Sequence, residues 1–429
     1  MSGEEPGHVS SSVATGWHTY VPYYHPAAAL LAADAVRIRC AAVMRWVADD
    51  DSKYFTWHAE RLDDVAAYVA ETIRQRYPDL RVPYHARNRH FEAGGIDRWG
   101  QLARANGLDG DGAERARVAV DLVIPSVLLD AGAGAAWKFD DAPTGQTHMR
   151  SEGLGVASLR MFEAGLLSAY PSMPLRCDAE ALQRVTPELL ARAFQVNGDN
   201  PLVGLEGRAA LLRSLGKVIA ATPAVFGGTS EGEGPRLGNL YDYLLANSSN
   251  GIISASFVLE TLLLALGPAW PLRALLDGVP LGDCWQHPAL FDRWVPFHKL
   301  TQWLTYSLLE PLEQSGLQVD GIDALTGLPE YRNGGLLLDL GLLVPRDPDF
   351  ATTSWKVHDE AIVEWRAVTV VALDLIARGV RAQLGLTDAE FPLARVLEGG
   401  TWAAGRRIAA ELRPGGGPPL ILVSDGTVF

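Results

Sequence analysis

EAIVEWRAVTVVALDLIARGVRAQL, residues 360–384, contains no proline and a single glycine, Gly379. Its apolar residues recur at helical rather than alternating spacing, so the segment reads as one long helix from Glu360 to Leu384. Helical spacing also extends to both sides. Toward the N-terminus it marks Leu336 to Leu342, Leu300 to Leu312, Ala255 to Leu266, Leu205 to Ile219, Leu154 to Leu167 and Val118 to Leu129. Further back, Leu62 to Tyr77 runs until Pro78 stops it, and Pro26 to Ala48 is rich in alanine. Thr186-Pro187-Glu188 opens a helix to Phe194 with an N-cap followed by proline at the first helical position.

Strand signals are few, and the best is Pro419 to Val423. Gly227 to Asn239 lacks apolar periodicity and reads as a loop, a place where two lobes could join. The expected fold is mainly α: a single compact helical domain over residues 16–429 with few short strands. Residues 1–15 are polar and read as a disordered tail, without the basic start and apolar centre of a signal peptide. The apolar chain end, Val428 and Phe429, is expected to dock in the core.

The 429 residues carry 37 basic and 51 acidic side chains, a net charge of −14. That disfavours nucleic acid as a partner, because a phosphate backbone needs a basic face. No apolar run approaches the ~20 residues of a bilayer span, so neither nucleic acid nor membrane is expected as a partner. Cys40, Cys177 and Cys284 are odd in number and far apart, which fits a reducing cytoplasm.

Three polar segments interrupt apolar stretches: Val295-Pro296-Phe297-His298-Lys299, Leu325 to Gly335, and Val363-Glu364-Trp365-Arg366-Ala367. In the second, Glu330, Tyr331 and Arg332 are consecutive, with Gly334 and Gly335 close behind. This turn would present a carboxylate, a phenol and a guanidinium at a helix mouth; a capped helix with a surface ion pair explains it equally well. On a helix, Lys299, Gln302 and Tyr306 share one face, either lining a cleft or simply solvated. Gly145 to Leu154 is a polar loop entering an apolar helix. Ser151 could cap that helix, whose first amides would attract an anion beside Arg150.

Other motifs fail on spacing. Gly132-Ala133-Gly134 lacks the third glycine of a dinucleotide loop, since Trp137 stands there. The histidines show no metal-ligand spacing, and His85 to His90 reads as a basic loop. No metal or cofactor is expected.

At this point the chain resembles a known family. Phe194-Gln195-Val196, Asn200 to Arg208, Leu281 to Trp285, Val295 to Tyr306, Leu325 to Gly335, Glu398 to Arg406 and Ser424 to Phe429 resemble, in order, the uracil-catabolism protein four family. That family is often labelled a uracil phosphoribosyltransferase, yet the chain stops too soon after Ser424-Asp425-Gly426-Thr427 for a diphosphate loop and its helix. A fainter similarity is to the queuosine 5′-phosphate N-glycosylase family, whose all-helical fold is DNA-glycosylase-like. It rests on Phe297 to Gln302, Pro329-Glu330-Tyr331-Arg332 and Val363-Glu364-Trp365-Arg366. Glu330 and His298 depart from that family's aspartate and tyrosine.

Together the resemblances imply an N-ribosyl hydrolase that cleaves ribosylurea, or its 5′-phosphate, to urea. They imply Glu330 as the catalytic carboxylate, with Asp323 and Asp320 as substitutes and Tyr331 or Gln302 assisting the leaving group. Lys299, Arg332, His298 and Arg150 would hold substrate or phosphate. Glu364 and Arg366 would support them by pairing with Arg332 or Glu330. The expected partner is a small nucleoside- or nucleotide-derived substrate. A uracil phosphoribosyltransferase and a non-catalytic ligand-binding or partner protein of the pathway stay open as alternatives; oligomeric state is undetermined.

Overall fold

The computed structural model describes residues 24–134, 136–228, 233–270 and 274–423. The tail expected over residues 1–15, and Val428 and Phe429, lie outside them. The fold is mainly α-helical. The 360–384 segment is one helix, Glu360–Leu384, with Gly385 in the left-handed conformation at its end. It packs against the helices Ala35–Ala48, Leu62–Arg76 and Tyr331–Asp339. The Pro26 to Ala48 stretch is not continuous: a short 3-10 turn, Ala28–Leu30, precedes the Ala35–Ala48 helix.

Other helices start earlier than their apolar patterns suggest. Gly112–Leu128 contains Pro125, and Arg150–Glu163 begins four residues before Leu154. In the latter, Ser151 does not cap. The N-cap position is Met149, and the Ser151 hydroxyl instead donates to Asp130 Oδ2 at 3.1 Å. The Thr186 cap forms as expected, its hydroxyl accepting from Leu189 N at 3.2 Å ahead of helix Pro187–Ala193.

Among the described residues every β-ladder is two-stranded. The Pro419 to Val423 signal becomes strand Ile421–Val423, parallel to Ser354–Lys356. Ile252–Ser254 pairs parallel with Gln318–Asp320, and Cys284–Gln286 antiparallel with Trp294–Pro296. One apolar core runs from Ala33 to Leu420 and draws on both sides of the 227–239 segment, including Ile219 and Leu244.

The centre of this core is the helix Lys299–Gln314. Every residue from Lys299 to Leu309 is buried, so neither of its faces is solvated. A helix enclosed all round lies inside the fold, here against Gly112–Leu128 and Ala255–Leu266. Gln302 Oε1 accepts from Thr326 N at 3.2 Å, and the Tyr306 hydroxyl donates to Thr326 O at 3.1 Å. These bonds anchor the stretch that leads to Glu330.

Two glycines set the position of helix Tyr331–Asp339. A Cβ on Gly334 would stand 2.3 Å from the Trp365 ring, whose Nε1 donates to Gly334 O at 3.0 Å. A Cβ on Gly405 would lie 2.1 Å from the Arg332 carbonyl oxygen. Helix Trp402–Leu412 therefore lies almost in backbone contact with the other side. Gly405→Ala is expected to cost about 1–3 kcal/mol, the usual range for overpacking. Its clash is with backbone and cannot be relieved by a rotamer change. A shift in the denaturant midpoint measures it; an unchanged midpoint would mean that this contact is slack.

Candidate functional site

Glu330 is the N-cap of helix Tyr331–Asp339, and its carboxylate accepts from Arg332 N and Asn333 N, both at 2.7 Å. A caged acid of this kind has little rotamer freedom and keeps lone pairs for a further donor. The buried ammonium of Lys299, on the central helix, lies within electrostatic reach of Glu330 and Asp130. Burial holds Lys299 below the ordinary lysine value, with Glu330, Asp130 and, more weakly, Asp283 opposing the shift. Tyr331 is half-buried, and burial, then Glu330, pushes its phenol up to about 12, so it keeps its proton at neutral pH.

A group not selected from the sequence completes this side. Asp130 accepts from Arg87 Nη1 at 2.8 Å. Arg87 is fully buried, donates also to Ser126 Oγ at 2.7 Å, and sits over the Trp303 ring. Burial alone would raise Asp130, but Arg87 and then His90 hold it below its usual value. Arg87 Nη1 also contacts His90 Nδ1 at 2.9 Å and donates to Ser151 O at 3.3 Å. A guanidinium only donates, so Nδ1 must accept and the neutral imidazole carries its proton on Nε2. Burial, then the Arg87 charge, lowers His90 to about 4, which keeps the ring neutral. His85 lies alongside, bonded to Glu398 at 2.7 Å and flanked by the Trp303 and Trp402 rings. Glu398 is in a π-helical turn, Val396–Thr401, a distortion frequent at functional sites.

Arg332, Arg150 and Arg406 stand on the outer side. Arg332 is held below the ordinary arginine value by burial first, then by the Arg406 and Arg150 charges, with Glu330 and Glu152 opposing. Glu152 accepts from Arg406 at 2.6 Å.

The remaining expected residues separate. Glu364 and Arg366 are two positions apart on one helix, about 200° around its axis, and serve different clusters. Arg366 forms a bidentate pair with Asp283, 2.7 Å on each arm, and not with Arg332 or Glu330. Asp283 also accepts from Lys299 N at 3.0 Å and from Trp285 Nε1 at 2.7 Å, so it caps the helix that carries Lys299. Burial would raise its pKa, but Arg366 brings it down to about 2. Glu364 points the other way, bonded to His287 at 3.1 Å and to the Ser52 hydroxyl. It braces its helix and does not reach the site.

His298 is a left-handed N-cap, φ 48°, whose imidazole bonds to Leu30 O at 2.9 Å. That bond engages Nε2 and ties the turn to the Ala28–Leu30 segment. Gln302 accepts from Thr326 N through Oε1, while its buried Nε2 makes no hydrogen bond among the described residues. Asp320 and Asp323 are exposed. Between them and Glu330 the chain passes through the buried stretch Leu325 to Pro329, which leaves Asp323 near Arg37 and Tyr306.

Signals for the missed groups were present. His85, Arg87 and His90 made an unusually polar run. Asp130 ended the mostly apolar run from Val118, and Asp283 and Arg406 lay within segments carrying the family resemblance. A separate open groove of about 960 Å³, lined in part by Trp285, Trp294, Lys356 and His358, adjoins the Asp283 cluster at Trp285. Among the described residues no set of three or more His, Cys, Asp or Glu side chains is arranged to hold a metal ion, and no helix is long and apolar enough to cross a membrane.

A mainly α fold thus encloses a charged site built from carboxylates, guanidiniums, a buried ammonium and a neutral imidazole. The chain belongs to the family described as Protein of unknown function (DUF1688), matched over residues 29–429. It is 41% identical over 411 residues to "Protein urg3" of Schizosaccharomyces pombe, covering 94% of this chain and 98% of that protein. It is 37% identical over 417 residues to "Uracil catabolism protein 4" of Lachancea kluyveri, covering 89% and 93%.

Proposed function

We propose that the protein acts in uracil catabolism as an N-ribosyl hydrolase, releasing urea from ribosylurea or its 5′-phosphate. The pathway role follows the name of the Lachancea kluyveri relative. The chemistry rests on one observation: the buried Lys299 ammonium feels both the caged Glu330 carboxylate and Asp130 electrostatically.

In the proposed step the bond from C1′ to the urea nitrogen breaks and water oxygen bonds to C1′. Glu330 takes the proton from water and faces the positive charge that develops on the ribosyl ring. The departing urea nitrogen accepts a proton, and we assign its donor to the protonated Tyr331 phenol or the Nε2–H of His90. Lys299 orients the substrate through its polar groups. The uracil phosphoribosyltransferase reading draws no support from the fold, since the described ladders are two-stranded and make no central sheet to carry a diphosphate loop.

The test is incubation of the protein with ribosylurea and with its 5′-phosphate, reading out urea. Lys299→Met is expected to raise KM by about tenfold or more with a smaller change in kcat, as a charge-assisted hydrogen bond is worth ~1.5–3 kcal/mol. An unchanged KM would remove Lys299 from the binding role. Absence of urea from both compounds would leave the transferase and the non-catalytic reading. Incubation with uracil and phosphoribosyl diphosphate then decides between those two.

A further inference from the structure

The geometry points to an anion subsite formed by Arg150, Arg332 and Arg406, which holds the 5′-phosphate of a ribosyl substrate; the inference rests on the N-ribosyl reading of the adjoining site. The three arginines come from three helices: Arg150 and Arg332 from the first turns of Arg150–Glu163 and Tyr331–Asp339, and Arg406 from the second turn of Trp402–Leu412. One glycine turn ties two of them together: Arg332 Nη1 donates to Gly416 O at 2.9 Å and Arg150 Nη2 to Gly415 O at 3.4 Å. The third is held against the same helix start because Gly405 meets the Arg332 carbonyl and Arg406 follows directly. Arg406 lies over the Trp402 ring at 4.8 Å and donates to Glu152 at 2.6 Å.

Among the described residues each of these guanidiniums makes one hydrogen bond, while each has five N–H donors. All three therefore keep donors in hand. The local charge is also unbalanced. Three cations face two carboxylates, Glu152 and Glu330, and Glu330 already receives two backbone N–H groups. Guanidiniums gathered at such short range repel one another, and a dianion relieves that repulsion while accepting bidentate contacts. Arg332 is adjacent in sequence to Tyr331 and two residues from Glu330, so an anion held here places the rest of a small ligand beside the Glu330 carboxylate. A 5′-phosphate attached to a ribosyl ring has that charge and that reach.

The experiment is calorimetric titration of the full chain with ribose 5-phosphate, ribose and inorganic phosphate. The expected order is ribose 5-phosphate tightest, inorganic phosphate weaker and ribose weakest, with about tenfold or more between the first and the last. Arg406→Gln and the exposed-site variant Arg150→Gln should each erode that preference, and the double variant should abolish it. Arg184→Gln, an exposed residue paired with Glu180 elsewhere, should retain it. Melting curves show that each variant is folded; Arg150 is exposed, so its replacement keeps the test valid if Arg406→Gln is damaged. Equal affinity for ribose and ribose 5-phosphate would overturn the subsite. A phosphate preference that survives in the double variant, or inorganic phosphate binding as tightly as ribose 5-phosphate, would do the same. Urea release is scored separately. If no urea appears while the arginine-dependent preference holds, the hydrolase reading falls and the anion subsite stands; urea release without the preference gives the reverse.

Discussion

Glu330→Gln is expected to reduce urea release by ~10²–10⁴ at saturating substrate, the usual contribution of general-base assistance. The substitution keeps the length of the side chain but removes charge and basicity. It also disturbs a cap. Glutamine has one amide oxygen to offer, while Glu330 now satisfies two N–H groups, of Arg332 and Asn333. A stability loss of about 1 kcal/mol should accompany the kinetic loss, in the range of other N-cap changes. The two effects separate cleanly: a denaturant midpoint measures the first, and initial rates on folded protein measure the second. If turnover is unchanged, Glu330 is only a cap. The base is then expected to be Asp130, which also acts electrostatically on Lys299 while the third such carboxylate, Asp283, is taken by Arg366, and Asp130→Asn becomes the decisive variant. The exposed Asp320 and Asp323 no longer compete for that role.

Asp283→Ala should produce the largest stability loss of the substitutions considered, about 3–5 kcal/mol, because it leaves a fully buried Arg366 without its bidentate partner. The same change removes the acceptor for Lys299 N and for Trp285 Nε1. The start of the central helix should therefore loosen, and KM should rise even where the protein is still folded. A denaturant series measures the first effect and substrate titration the second; a midpoint within error of wild type would show that the pair is not structural. The pH dependence has a definite sign. Asp283 in the folded chain titrates at about 2, below the ordinary aspartate value. Its contribution is thus fully present above the unfolded value near ~4 and is lost as pH falls from there toward 2.

How far the site could be read in advance depended on the range of the interaction. Glu330-Tyr331-Arg332 followed by two glycines is a local pattern: the cap bonds span two and three residues, and Gly334 is where a tryptophan comes close. It was legible for that reason. The pairings of Arg366 and Glu364 were not. Asp283 and His287 lie some eighty positions away, and a helix that turns about 100° per residue sends neighbours to opposite sides. Asp323 and Glu330 are close in sequence but divided by a buried segment. Arg87, His90 and Asp130 were visible as polar residues in apolar surroundings. Nothing local indicated that a third helix, starting at Arg150, would bring Ser151 and Glu152 to them.

By itself the sequence determined the helical class, the long Glu360–Leu384 element, the Thr186 cap and the family. Each of these depends on side-chain periodicity, on turn chemistry within a few residues, or on ordered motifs along the chain. Only the tertiary structure decided which charges meet. Burial makes an unpaired charge costly, so every enclosed carboxylate and guanidinium takes the partner that packing brings to it, wherever that partner lies in the chain. Packing thus gave Arg366 to Asp283, Glu364 to His287, Arg87 to Asp130, and left the buried Lys299 in the field of Glu330 and Asp130.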